Sequence, residues 1–340
     1  MAQTAEVVII GGGIIGASIA YHLRQDGVLG PLVVLERDTT YSRASTPMSL
    51  GGIRQLYGTD CNIAMARYSL HFYEQFDNLM AGAWGRPQAH FHARGYLFLL
   101  DAQNRATLLH KYEVQRRLGV EVEVLSPQQV CELIPEMHVA DITGAIYGRR
   151  DGYLNPRGAL QGFVERSREL GCTWLQDDVI GFTATAGQPL TVQTRASGTL
   201  TTAALVIAAG PWTQHLAALA GIELPVWPVR RQACYVTLPA PLRHKWPMVI
   251  DTNDIHYRHD TETDTHLLVT RIIRDELPGL NFEWEPRQFH THILPHLQRR
   301  LPACGALQLQ RGWAGHYSVT PDENFILGQH PEHAGLYMAV

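Results

Sequence analysis

Apolar residues recur along this chain with two periods. Residues 6–10 read EVVII, a β-branched run of the length and character of a buried strand. Glycines follow at 11, 12, 13 and 16, and through Leu23 the apolar positions take helical spacing. After a turn around Gly27 and Gly30, LVVLE supplies a second strand ending in Glu36. Further on, GYLFLL at 95–100, CYVTL at 234–238 and HLLVT at 266–270 read as strands of a mostly antiparallel sheet, and the charged stretch 103–118 as a helix. No apolar run reaches the roughly 18 residues of a membrane span. Internal repeats and low-complexity linkers are absent from the sequence, so its parts are expected to move together.

The strand, glycine turn and helix carry the first chemistry. In Gly11-x-Gly13-x-x-Gly16, the first glycine permits the turn and the second admits a pyrophosphate to the backbone. The third lets the helix pack on the strand, and the helix N-terminus at Ile14 and Ile15 faces the phosphates. Glu36 lies 20 residues beyond Gly16, where an acid accepts ribose hydroxyls and repels a 2′-phosphate. A dinucleotide is therefore expected, and NADP is disfavoured.

Composition narrows the partners. The chain has 340 residues, enough for two interleaved domains, with 45% hydrophobic and 18% charged residues. Its net charge of −4, without a basic block, argues against nucleic acid and anionic membrane surfaces. Five scattered cysteines without a CxxC pair are expected to be free thiols in a reducing compartment. Met1 leads almost directly into the first strand, so a cytoplasmic protein is expected; a mitochondrial matrix protein whose leader was removed would start the same way. Among 17 histidines, His90-x-His92 and His290-x-His292 have ligand-like spacing but no nearby acid or Cys partners, and no metal is expected.

The stretch ERDTTYSRASTPMSLGGIRQLY at 36–57 resembles the D-amino acid oxidase and sarcosine oxidase superfamily of FAD-dependent oxidoreductases. ALVIAAGPWT at 204–213 and GWAGHYSVTPDENFILGQH at 312–330 are similar to two further family segments. Within the superfamily, the YSxASTxxSxGGI, WAGHY and PHLQRRLPA phrases resemble the mitochondrial FAD-dependent oxidoreductase-domain proteins and their bacterial relatives. The resemblance implies an α/β fold: a Rossmann-like, glutathione-reductase-like FAD-binding domain of residues 1–80, 150–222 and 320–340. With it is interleaved an α+β substrate domain, 81–149 and 223–319, whose sheet roofs the flavin. It also implies FAD contacts at Arg37, Ser45, Thr46, Gly51, Gly52, Ala209, Gly210 and Trp212, and at Val179 beside the adenine.

The activity implied is oxidation of the CH–NH bond of an amino acid or secondary amine, sarcosine-, proline- or D-amino-acid-like, by hydride transfer to flavin N5 and hydrolysis of the imine. An arginine is the side chain best suited to fix a substrate carboxylate, through bidentate pairing. By resemblance Arg54 and Tyr57 occupy a substrate carboxylate site, and Tyr257 and Arg258 a strand over the flavin. Arg230 and Arg231 are assigned first to structure. Gly315-His316-Tyr317 replaces the Cys-x-Tyr phrase that bonds flavin covalently in monomeric sarcosine oxidases, so FAD is expected to be noncovalent. The HLLVTR strand lacks the lysine those enzymes use with oxygen, which leaves oxygen or an electron-transfer protein as acceptor. In the family a Gly-Phe-Ser-Gly-His-Gly turn and a helix follow the position of Val340. The chain is therefore expected to be either a piece of a longer one or a protein that binds FAD weakly and catalyses poorly. Two other readings remain at this level: a flavin-binding assembly protein, and an NAD-dependent dehydrogenase resting on the glycine motif alone.

Overall fold

The computed structural model describes residues 3–184 and 188–340. The EVVII run forms the strand Gln3–Ile10 at the centre of a sheet of eight described strands. It pairs in parallel with Leu32–Glu36 on one side and Thr199–Ile207 on the other. Thr173–Gln176 extends the parallel sheet beyond Leu32–Glu36, and Leu336–Ala339 beyond Thr199–Ile207. The run is apolar at every position because both faces are covered. Val8 and Ile10 pack with Val33, Leu35, Leu205 and Ile207, whereas Val7 and Ile9 pack with Ala20, Leu32, Val34 and Val206.

The helix Ile14–Gln25 lies on one face against the helix Pro156–Glu169, whose N-terminus is capped by Asn155. Tyr21, Phe72, Phe76 and Phe163 fill the space around this pair with ring centroids 5.0–6.1 Å apart.

A second sheet of eight described strands runs from Gln308–Val319 through Trp227–Thr237, His266–Arg271, Ile255–His259 and Met248–Ile250 to Tyr96–Leu100, Gly144–Gly148 and Val122–Leu125. It is antiparallel except between Met248–Ile250 and Tyr96–Leu100. Side chains alternate across it. Leu97, Val249, Tyr257, Val269 and Cys234, aligned across five strands, face a core closed by Phe289, Ile293 and Leu297. The opposite face looks toward the first sheet. The mixed α/β class with a mostly antiparallel second sheet is thus as expected, and the charged stretch forms the helix Arg105–Arg117.

Beside the second core lies a buried ionic network. Arg300 donates to both oxygens of Asp251 at 2.8 and 3.0 Å and to Asp141, and His296 lies 2.9 Å from Asp251. These contacts hold the Asp251 carboxyl at about 2 against the effect of burial. All five cysteines are free, and no described helix is long and apolar enough to cross a membrane.

Candidate active site

A cavity of about 1340 Å³ opens between the glycine turn of the first sheet and the inner face of the second. That exceeds the ~300–1,000 Å³ usual for a small-molecule pocket, leaving room for a cofactor and a substrate. Gly11 takes φ +100°, and a Cβ there would stand 2.5 Å from the Ala208 carbonyl oxygen. A Cβ on Gly16 would lie 1.9 Å from the Gly11 carbonyl oxygen, so this glycine sits beneath the turn while Gly11, Gly13, Ile14 and Ile15 line the cavity. Gly13 differs, because a Cβ there would meet nothing within 4 Å. Nothing in the protein requires that glycine, which fits a backbone left bare for a phosphate.

Glu36 lines the cavity, and its oxygens accept hydrogen bonds from the Gly12 and Asp38 amides, each at 2.8 Å. It thereby fastens the glycine turn to the second strand, a part the sequence reading did not give it. Burial raises its carboxyl above the ordinary glutamate value despite these bonds. Arg37 lies with its guanidinium 4.1 Å from the Trp212 ring centroid. Val179 lines a smaller pocket of about 310 Å³ that shares Gly11, Glu36, Arg37, Ala209 and Trp212 with the main cavity. The residues expected at the nucleotide end are thus brought together.

The loop from Asp38 to Ile53 forms one wall, held from several directions. Asp38 accepts from the amides and hydroxyls of Thr40 and Ser42, which lower its carboxyl to about 2. Trp313 Nε1 donates to the Met48 carbonyl at 2.8 Å, and Gly52–Ile53 pairs with Gly152–Tyr153. Ser45, Thr46, Gly51 and Gly52 face the cavity, and Ser45 Oγ is buried without a partner. An orphaned hydroxyl, a bare glycine amide and the Arg37–Trp212 pair suit a polar, phosphate-bearing ligand with a flat ring.

At the far end lies Arg54, half-buried, with no carboxylate in ion-pair distance among the described residues and with a buried Nε that has no partner. Its guanidinium is 4.7 Å from the Tyr57 ring, 5.4 Å from Phe98 and 5.8 Å from Tyr96. Burial works against its charge, but the phenols of Tyr57, Tyr96 and Tyr317 outweigh it and the pKa stands above the ordinary arginine value. Behind it, buried Asp151 accepts from both the amide and the side chain of Gln55 at 3.1 Å, fixing the backbone next to Arg54.

The expected pair Tyr257 and Arg258 lies elsewhere. Tyr257 is fully buried in the core on the far face of the second sheet, 3.5 Å from Asp251. Alternation puts His256 over the cavity instead, one residue away from the expected pair. Arg258 donates to the Leu50 carbonyl at 2.6 Å and to the His259 carbonyl, with its guanidinium 4.7 Å over Tyr153. It braces the loop without lining the cavity. Burial, aided by Arg54 and Arg231, drives the His256 imidazole down to about 4, so it is neutral at pH 7.

Arg230 and Arg231 divide. Arg230 is buried among Glu276, Glu285 and the Glu283 carbonyl at 2.6–2.8 Å, as a structural residue should be, whereas Arg231 lines the cavity with Thr270, Ala233 and Gly315. An RR doublet in a strand must send one arginine to each face, and that was the signal available in the sequence.

Comparison with known proteins decides the family, because a family model described as FAD dependent oxidoreductase, DAO, matches residues 6–340. The chain is a DAO-family FAD-dependent oxidoreductase. Over 374 residues this DAO-family member is 30% identical to FAD-dependent oxidoreductase domain-containing protein 1 of Xenopus laevis, covering 99% of this chain and 75% of that protein. It is 28% identical to the 4-methylaminobutanoate oxidase (formaldehyde-forming) of Paenarthrobacter nicotinovorans, covering 98% of this chain and 40% of that one. Among solved structures, L-proline dehydrogenase from P. horikoshii superposes with a TM-score of 0.87 at 25% identity, over 100% of this chain and 88% of that one. The cofactor of this DAO-family enzyme is FAD, as the glycine turn and the loop from 38 to 53 led one to expect.

Proposed function

We propose that the enzyme oxidises the CH–NH bond of an amino acid or secondary amine, with Arg54 binding the substrate carboxylate. The observation that carries this reading is a guanidinium lining the cavity whose Nε is buried without a partner and which has no carboxylate within ion-pair distance among the described residues. Burying an unpaired charge is costly, and a carboxylate arriving with the substrate removes that cost through charge-assisted hydrogen bonds. Tyr57 and Tyr96 fix the guanidinium plane, and the Asp151–Gln55 pair fixes the backbone that carries it.

FAD would be held by the glycine turn, Glu36, Arg37, the loop carrying Ser45, Thr46, Gly51 and Gly52, and the Ala209–Trp212 segment, with Val179 at the nucleotide end. When bound, it supplies the acceptor for the hydride lost from the substrate carbon, the amine nitrogen losing a proton and water hydrolysing the imine so formed. The cavity-lining cations are arginines, with Thr270 contributed by the strand whose family counterpart bears lysine, so an acceptor other than oxygen fits best. The amine substrates in the names of several relatives support the reaction class. Anaerobic addition of sarcosine, proline and D- and L-amino acids to the FAD-loaded protein tests it. Bleaching of the visible flavin band is expected with at least one of them; a flavin that no amine reduces would sink the proposal and favour a flavin-binding assembly protein.

A further inference from the structure

We infer that the substrate carries two carboxylates, one met by Arg54 and the second by Arg231, which makes it an amino or N-substituted amino dicarboxylic acid. The inference rests on the amine-oxidising reading and specifies its substrate class.

Arg231 stands on the cavity face of Trp227–Thr237, two residues before Ala233. From Ala233 the register runs through Thr270 to His256, so one face carries all four side chains toward the same space. Its neighbour Arg230 has three protein acceptors. Arg231 has one, the Arg230 carbonyl at 3.0 Å, and its buried Nε has none. The guanidinium lies 5.2 Å over the Tyr317 ring, and Arg54, Arg231 and Tyr317 all line the one cavity. His256 lines the same cavity and is neutral at pH 7, so it supplies no counter-charge.

The cavity's acids do not supply it either. Glu36 and Asp38 are occupied by amides and hydroxyls at the nucleotide end, and Asp178 pairs with Arg195. Glu323, which is exposed, and Glu276, which is paired with Arg230, act on Arg231 only from beyond ion-pair distance. Both guanidinium groups line this cavity, and one carboxylate satisfies only one of them. A diacid pairs both.

The test uses the FAD-loaded protein and two ethers that cannot be oxidised as amines, oxydiacetate with two carboxylates and methoxyacetate with one, with affinities measured by calorimetry. Oxydiacetate is expected to bind about ten- to a hundredfold more tightly, the usual worth of one charge-assisted pair. Arg231→Met is expected to bring it to the monoacid level, and Arg231→Lys to an intermediate value. Iminodiacetate and N-methylaspartate should bleach the flavin at lower concentration than sarcosine. Equal affinity of the wild-type protein for the two ethers overturns the inference, whatever the variants do. So does loss of bound flavin in parallel with the diacid preference in Arg231→Met, which would assign the arginine to the cofactor. Tight oxydiacetate binding in a protein whose flavin no amine reduces would sustain the two-cation site while defeating the amine-oxidising reading.

Discussion

Arg54 draws its environment from rings rather than acids, and this decides what its replacement does. Arg54→Met keeps the packing against Tyr57 and Phe98 but removes the charge, so the Kd for carboxylate-bearing amines should rise at least about tenfold with the flavin band unaltered. Arg54→Lys should recover little, because an ammonium neither stacks on the rings nor pairs bidentately. Anaerobic titration gives both constants, and an unchanged Kd would remove Arg54 from the substrate site. Asp151 adds a pH signature. Burial raises its carboxyl to about 6, although the Gln55 bonds and Arg54 oppose it. Folded Asp151 therefore holds its proton more tightly than the unfolded chain. The stability it contributes is present below about pH 4 and lost as pH rises toward 6, a change of roughly 3 kcal/mol. Asp151→Asn keeps an acceptor for Gln55 and should lose this dependence, visible as a flatter Tm between pH 4 and 7; parallel curves for the two proteins would refute it.

At the scale of elements, the turn before Ile14–Gln25 leaves no space for a side chain at residue 16. Gly16→Ala drives a methyl into the Gly11 carbonyl and must displace the helix start. The purified variant should carry less than about a tenth of the wild-type flavin, measured as visible over ultraviolet absorbance. This part of the site was legible in the sequence because its chemistry lies in consecutive residues, where turn, helix start and acid are separated by fixed spacings. The strand Ile255–His259 was harder. Its existence is visible in local composition, but which of His256 and Tyr257 faces the cavity depends on register against Val269, Thr270 and Val249, which lie on other strands. Tyr257→Phe should accordingly leave substrate Kd within about twofold and cost about 1 kcal/mol or less, the worth of its long contact to Asp251; a tenfold weaker Kd would return Tyr257 to the site.

Across the whole molecule the two sheets meet through the loop from 38 to 53. Trp313 and Arg258 belong to the second sheet, yet both donate to carbonyls of that loop, which follows a strand of the first. Arg258→Met cuts one of these ties without touching the cavity. Flavin release should become at least about fivefold faster, followed by fluorescence on dilution, since one charged hydrogen bond is lost; unchanged release would make the brace unimportant. The cavity position of Arg231, unlike that of Arg54, escaped the sequence for the same reason that the sheets interleave. Whether an arginine has an acid beside it is settled by residues far away in the chain, such as Glu276 and Glu285 beside Arg230.

The central strand Gln3–Ile10 takes one neighbour from Leu32–Glu36 and the other from Thr199–Ile207, which itself waits for Leu336–Ala339. During synthesis this strand must remain unpaired along one edge while nearly two hundred more residues are added. Long-range parallel pairing of this kind is slow, and it exposes an aggregation-prone β-branched edge during synthesis. The nucleotide end of the cavity cannot close until residues 208–212 have emerged. The cavity that takes FAD can therefore be completed only after the strand Thr199–Ile207 has been made and paired.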